Sequence, residues 1–258
     1  MNAIENGKGK TMANKIVMEL KNAGLFEREY GALVFDTTSS NTGVLKGAAT
    51  FLEAELNTKL LWLACRHHIY EFILGAVWTR IFGPTKSKNN LEFKEFQERW
   101  KDIDKCLPTA TLSEFSDEQL NTFKNKTISL FQDVHCQEDS KLPRDDYKES
   151  CELALIMLSV KPHRWLKKDH WLSPGAFSNA RWMASLLYAP KMLAFGQQME
   201  NWSEEYMNKI EKFVTFTSLL YVRYWIQSAN GRDAPYLDLF FFSRNCFISG
   251  PICKMWLM

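Results

Sequence analysis

The stretch YGALVFDTTSSNTGVLKGAATFLEAELNTKLLWLAC, residues 30–65, decides the fold of the first part of this chain. The apolar run Ala32–Phe35 ends on Asp36, and a second apolar run, Leu60–Ala64, ends on Cys65. A polar loop and a helical pattern separate the two runs. Short apolar runs bounded by polar turns are typical of buried strands. The order therefore predicts a strand, a helix and a second strand, which is the βαβ unit of a parallel sheet.

Helix-period patterns dominate the remainder of the chain. One precedes the first strand, one lies between the strands and one follows the second strand, over residues 11–25, 44–56 and 66–82. Later patterns, punctuated by prolines, cover residues 91–105, 113–134, 145–160, 178–200 and 203–228. We expect an α+β fold that is predominantly α. A two-stranded sheet is marginal alone, so we also expect a larger fold, an oligomer or a partner to cover it.

The composition excludes several classes of protein. A hydrophobic fraction of 46% with nine tryptophans predicts an ordered core and argues against disorder. A net charge of +2 means that any nucleic-acid contact must come from a local basic patch. The six scattered cysteines show no framework spacing, so we interpret them as reduced thiols of an intracellular protein. No apolar run reaches eighteen residues, and we expect no membrane span.

Asp36 is the first candidate functional residue, because it closes a strand. In parallel α/β sheets, ligands and catalytic groups gather outside the carboxyl ends of the strands. A carboxylate there can hold a divalent metal, as in two-metal phosphoryl-transfer sites. The alternative is structural, with Asp36 and Asn41 acting as turn and capping residues of the polar loop.

Cys65 and His68 form the second candidate. They lie three residues apart, so at the start of a helix they could share one face. Thiolate and imidazole are good zinc ligands, but a closed zinc site needs four, and the sequence has no second pair at ligand spacing. A Cys–His nucleophile would lack an orienting third group. We favour a structural pair that positions the following helix.

Residues 161–171, KPHRWLKKDHW, are the strongest basic and aromatic cluster. Arg164, Lys167 and Lys168 could contact phosphates, and a neighbouring tryptophan could stack on a base. The alternative, which we slightly prefer, is a solvated turn whose tryptophans are anchored in the helical core. Arg181 also lies at a predicted helix start, where the helix dipole disfavours a cation, so we expect it to have a carboxylate or phosphate partner.

With these residues in view, the chain resembles the catalytic region of hAT-like DNA transposases, an RNase H-like fold interrupted by a long helical insertion. VFDTTSSNTG at residues 34–43 is similar to the strand that carries the family's second catalytic Asp, followed by an Asn. CRHH at residues 65–68 is similar to its Cys-x-x-His motif, and ARW at residues 180–182 to its Arg-Trp motif. The motif residues in this chain are Asp36, Asn41, Cys65, His68, Arg181 and Trp182.

The resemblance implies three segments. Residues 1–83 would be a partial RNase H-like core, residues 84–236 a helical insertion domain, and residues 237–258 a divergent tail. It also implies DNA as the partner and a nuclear location.

The family's chemistry uses three carboxylates and two Mg²⁺ or Mn²⁺ ions to cut and join DNA. Only Asp36 has a match here. The first Asp belongs on an earlier strand, for which too little chain precedes Thr11, and the Glu should follow the insertion, where the chain ends. We therefore expect a truncated, transposon-derived protein that is inactive by itself and does not hold the ions functionally.

Two other functions stay open at this stage. The chain could be a noncatalytic module that binds nucleic acid or another protein through its helical surface. It could also be a metal-dependent phosphatase or nuclease of a separate kind. That second possibility requires another carboxylate near Asp36, and no pattern in the sequence points to one.

Overall fold

The computed structural model describes residues 6–84, 91–106, 110–112, 115–132, 144–163, 171–175, 181–227 and 234–241. The chain divides into two compact units, Met1–Ile73 and Leu74–Met258. The described part is mainly helical and contains one two-stranded parallel sheet. This confirms the expected α+β class with a predominance of helix.

The first unit contains the predicted strand, helix and strand. Its elements are α1 (Gly9–Asn22), β1 (Ala32–Phe35), α2 (Ser39–Thr42), α3 (Ala48–Glu55) and β2 (Leu61–Ala64), followed by the start of α4 (Arg66–Phe82). The helix predicted over residues 44–56 begins four residues later, because Leu45 belongs to an exposed turn and not to the apolar face of the helix. The polar loop after β1 contains the short helix α2, which was not predicted.

The sheet has one covered face and one exposed face. The strands pair in parallel, with Ala32 opposite Leu61 and Val34 opposite Leu63. Leu33 lies between Ala32 and Val34 on β1 and points to the opposite face of the sheet. There it packs against the small core formed by Ala13, Val17 and Leu52 of α1 and α3. The exposed face is also apolar: Val34 is 73% exposed and Leu61 is 63% exposed. Parallel sheets are normally covered on both faces, so this exposed face lacks the layer that usually packs against it.

Glu53 joins the end of α3 to the start of β2. Its carboxylate accepts hydrogen bonds from the backbone N–H of Leu60 at 2.9 Å, the ammonium of Lys59 at 2.9 Å and the indole N–H of Trp62 at 3.1 Å. These bonds, led by the one from Leu60, hold the pKa of Glu53 below its usual range. A buried carboxylate with several donors can remain ionised, so Glu53 fixes where the second strand begins.

The second unit is helical throughout its described part. After the second half of α4 come α5 (Leu91–Arg99), α6 (Glu118–Leu130), α7 (Asp145–Met157), α8 (Arg181–Phe195), α9 (Glu204–Phe216), α10 (Val222–Gln227) and α11 (Ala234–Phe241). Its core is rich in aromatic side chains. The ring of Trp78 lies 5.2 Å from that of Phe93 and 4.9 Å from that of Phe213. Such contacts add to the area that the rings bury.

The helix predicted over residues 203–228 is present but not regular. A π-helical turn, Thr217–Tyr221, lies between α9 and α10. π-helical turns are rare and interrupt the regular hydrogen-bond pattern of an α-helix. The buried hydroxyl of Thr127 on α6 donates to the carbonyl of Leu219 at 3.1 Å. This bond ties α6 to the long helix at its irregular point.

A buried ion pair links α7 with α8. The ammonium of Lys191, which is 2% exposed, lies 2.6 Å from the carboxylate of Glu149 and also donates to the carbonyl of Leu172 at 2.8 Å. Burial lowers the pKa of Lys191, and the charge of Glu149 opposes that shift. Removing one member of such a pair leaves an uncompensated charge inside the protein.

We expect Lys191→Met to lower the free energy of unfolding by about 3–5 kcal/mol, because the Glu149 carboxylate would remain buried without its cation. The matched control is Lys209→Met, which breaks an exposed ion pair of the same length, 2.6 Å, with Glu205. The control should change stability little. Chemical unfolding followed by circular dichroism measures both variants, and equal effects of the two would contradict a stabilising role for the buried pair.

Candidate functional site

The parallel sheet brings the two predicted strand-end positions to one edge of the first unit. Asp36 follows β1 and Cys65 follows β2, and the strands pair up to Phe35 opposite Ala64. The N–H of Cys65 donates to the carbonyl of Phe35 at 2.7 Å, which extends the ladder by one bond. The carboxyl ends of both strands therefore lie side by side, as expected for a βαβ unit.

The Asp36 carboxylate is engaged by its own loop. One of its oxygens, Oδ1, accepts hydrogen bonds from the Thr38 backbone N–H at 3.0 Å and the Thr38 hydroxyl at 2.6 Å. The same oxygen accepts a bond from the Asn41 side-chain amide at 2.7 Å. The structure thus brings together Asp36 and Asn41, two of the motif residues. This arrangement is an aspartate turn of the kind considered as the structural alternative.

The hydrogen bonds also set the protonation of Asp36. The Thr38 hydroxyl, and next its backbone N–H, hold the pKa of Asp36 below the ordinary value of 3.8, and Asn41 and the charge of His68 act in the same direction. Burial of the carboxylate opposes the shift. Asp36 is therefore held as an anion, and His68 lies within electrostatic range of it.

A backbone hydrogen bond connects Cys65 and His68 at the start of α4. The N–H groups of His68 and Ile69 donate to the carbonyl of Cys65, at 3.0 Å and 3.3 Å. These bonds begin the helix directly after the strand, which agrees with a structural pair that positions α4. The imidazole Nδ1 of His68 is enclosed and has no hydrogen-bond partner.

The described residues near Asp36 do not fit a site for two divalent ions. Within the part of the chain that the structure describes, no three His, Cys, Asp or Glu side chains lie close enough together to hold a metal. Three hydrogen bonds already engage Oδ1 of Asp36, so one carboxylate oxygen is left for other partners. A two-ion centre needs several carboxylate oxygens.

Gly9 and Gly47, which were not predicted as functional residues, shape the loop. A Cβ atom on Gly9, in the first turn of α1, would overlap the carbonyl oxygen of Lys46 and lie 2.7 Å from that of Ser40. A Cβ on Gly47 would lie 2.6 Å from the carbonyl oxygen of Asn41. Only glycine allows backbone segments to approach this closely. The glycines that follow the first strand were the only signal of this packing in the sequence. Their spacing does not reveal which backbone segments approach one another.

The remaining candidate residues are placed only in part. Arg164, Lys167 and Lys168 lie outside the described residues. Arg181 and Trp182 form the beginning of α8, but their side chains also lie outside the described part. In the same basic cluster, the ring of Trp171 packs 4.7 Å from that of Phe195 in an edge-to-face contact. That contact agrees with the alternative in which this tryptophan belongs to the helical core.

Comparisons with protein-family models, with curated proteins and with solved structures found no match for this chain. Among the described helices, none is both long and apolar enough to cross a membrane.

We expect Gly9→Ala to lower the free energy of unfolding of the first unit by roughly 1–3 kcal/mol, because the added methyl meets backbone that cannot rotate away. The control is Gly7→Ala, since a Cβ on Gly7 meets no atom within 4 Å. That change should stay within about 0.5 kcal/mol. Amide hydrogen exchange in α1 and α3 measures the difference, and equal protection in both variants would show that the close approach is unimportant.

We expect Asp36 to titrate below 3.8 in an NMR pH titration of its carboxyl carbon. The loop's stabilisation by the ionised carboxylate should be present above the unfolded pKa and be lost as the pH falls through the folded pKa. Thr38→Ala should raise the pKa more than Asn41→Ala, because the Thr38 hydroxyl is the larger cause of the shift. Equal pKa values in wild type and Thr38→Ala would contradict this account of the loop.

Proposed function

We propose that this chain is a transposon-derived protein related to the hAT-like transposases and that it does not cut DNA by itself. The proposal rests on the position and the hydrogen bonds of Asp36. It stands at the strand end where the family's second catalytic Asp would lie, yet Oδ1 of its carboxylate accepts three hydrogen bonds from its own loop.

The placement of the motifs supports the relationship. Asp36 and Asn41 are joined by a hydrogen bond, and Cys65 and His68 lie at the neighbouring strand end. A parallel strand–helix–strand unit followed by a helical region is also the order expected of an RNase H-like core with a helical insertion. In this proposal the first unit derives from that core, and the second unit derives from the insertion.

The chemistry supports the lack of activity. Metal-dependent strand cleavage requires two ions that stabilise the charge on the attacking and leaving oxygens. Of the family's three carboxylates, Asp36 is the one with a match in this sequence, and one carboxylate cannot hold two ions. Mg²⁺ or Mn²⁺ would therefore not be bound in a functional way. DNA remains the proposed partner, and the nucleus the proposed location.

The test is a nicking assay with supercoiled plasmid and Mg²⁺ or Mn²⁺, comparing the purified chain with Asp36→Asn. We expect neither protein to nick DNA above the buffer background. Metal-dependent nicking by the wild type that Asp36→Asn abolishes would overturn the proposal. Nicking that both proteins share would come from a contaminating nuclease, and a repeat with nuclease-free protein would then decide.

A noncatalytic interaction module is the second candidate function. The exposed apolar face of the sheet favours it, because Val34, Leu61 and Leu63 are 73%, 63% and 42% exposed on paired strands. Single exposed apolar residues are common, but a row of them on a parallel sheet needs a cover. A second copy of the chain or another protein would supply that cover. The nucleic-acid form of this function would instead depend on Lys167 and Lys168.

Sedimentation velocity tests the protein-interaction form. We expect the wild type to self-associate and the double variant Val34→Lys, Leu63→Lys to shift to monomer, because a lysine pair on this face would be desolvated by any contact. Leu91→Lys is the control, since Leu91 is also 73% exposed but lies in the second unit. A wild type that stays monomeric, with DNA affinity lost in Lys167→Glu, Lys168→Glu, would favour nucleic-acid binding.

A further inference from the structure

Asn6 lies just before α1 and is followed directly by Gly7. Both residues are exposed to solvent. Oδ1 of the Asn6 side chain accepts hydrogen bonds from the backbone N–H of Lys8 at 3.1 Å and from the hydroxyl of Thr11 at 2.9 Å. The side-chain amide of Asn6 is therefore held at the start of the helix by two donors that point at its carbonyl oxygen.

The glycine after Asn6 leaves its side-chain amide open to attack by the backbone. Because glycine has no Cβ, its nitrogen is unhindered, and its backbone adopts conformations that other residues avoid. A Cβ on Gly7 would meet no atom within 4 Å, so the fold leaves open space around this residue. Asn-Gly also occurs at residues 230–231, which lie outside the described part of the chain.

We propose that Asn6 is a site of deamidation, a covalent modification that places a carboxylate at the start of α1. The Gly7 nitrogen loses its proton and bonds to Cγ of Asn6, and ammonia leaves Cγ, which yields a cyclic succinimide. Water then opens the ring at either carbonyl, so that residue 6 becomes aspartate or isoaspartate. The overall reaction exchanges an amide for a carboxylate and consumes water, so it needs no oxidant, cofactor or enzyme.

The two hydrogen bonds to Asn6 favour this reaction. When the Gly7 nitrogen bonds to Cγ, negative charge develops on Oδ1 of Asn6. Donors placed at the atom that gains charge stabilise the transition state. The Lys8 N–H and the Thr11 hydroxyl already contact that atom. The folded start of α1 therefore activates the side chain that it holds.

The modification changes the charge at this end of α1. The first turn of α1 contains no acidic residue, and the neighbouring Lys8 and Lys10 are exposed cations. An aspartate at position 6 interacts favourably with the helix dipole. An isoaspartate instead lengthens the backbone and disturbs the bonds that residue 6 accepts. The site lies in the first unit, and its chemistry does not depend on Asp36.

The experiment incubates the full chain at physiological temperature and follows the mass increase at residue 6 by peptide mapping, with isoaspartate distinguished by electron-based fragmentation. We expect conversion that is faster at higher pH, because the Gly7 nitrogen must lose a proton. Thr11→Val removes one donor and should slow conversion by about two- to tenfold, the rate equivalent of one exposed hydrogen bond. Thr11→Ser keeps the hydroxyl and should convert as the wild type does.

Gly7→Ala is the variant that blocks the attacking nitrogen. Its added Cβ meets no other atom, so the fold should be kept while conversion at residue 6 is suppressed. Aspartate and isoaspartate that form at residue 6, and form more slowly in Thr11→Val than in Thr11→Ser, support the proposal. No conversion at residue 6, or conversion in Thr11→Val that is as fast as in the wild type, overturns it.

Discussion

The parallel pairing of β1 with β2 is the constraint on which the first unit depends. Parallel strands cannot be joined by a tight turn, so the chain between Phe35 and Leu61 must return along the sheet through a crossover. Here α2 and α3 form that return, and α1 and α3 supply the small core under one face of the sheet. The crossover places both strand ends at one edge, which is why Asp36 and Cys65 become neighbours.

Two hydrogen-bonded carboxylates hold this crossover at its ends. Asp36 organises the loop that leaves β1, and Glu53 organises the turn that enters β2. Both have a pKa below the usual range, because each is stabilised as an anion by backbone and side-chain donors. A unit with a small apolar core relies more on such bonds than a large domain does. The role of Asp36 in the loop thereby competes with any role as a metal ligand.

The sequence predicted the elements of this site better than its contacts. Apolar runs between polar turns identified both strands, and Asp36 was placed correctly at a strand end. The start of α3 was wrong because Val44 and Leu45 continue its apolar pattern although they are 80% and 83% exposed in a turn. The hydrogen bonds that Glu53 accepts and the close approach of backbone segments at Gly9 were not predictable. Both depend on segments that meet only in the folded chain.

In the second unit, too, the elements were easier to predict from the sequence than their contacts. Helical periodicity located α5 to α10, whereas α11, at residues 234–241, was not predicted. Periodicity does not reveal which polar residue in such a helix lacks a partner. Arg223 lies between two buried residues and Lys191 follows a proline within α8. Yet Nε and Nη1 of Arg223 have no hydrogen-bond partner, whereas Lys191 forms a buried ion pair. That difference is decided by neighbouring helices and not by local sequence.

We propose that the Asp36 carboxylate serves its loop and not an ion. The most direct measurement is the paramagnetic broadening of backbone NMR signals by Mn²⁺ in the wild-type chain. We expect no broadening centred on residues 36–41 and 65–68 at Mn²⁺ concentrations that occupy functional sites. Broadening centred there, and abolished by Asp36→Asn, would show that Asp36 is an ion ligand and would contradict a purely structural role.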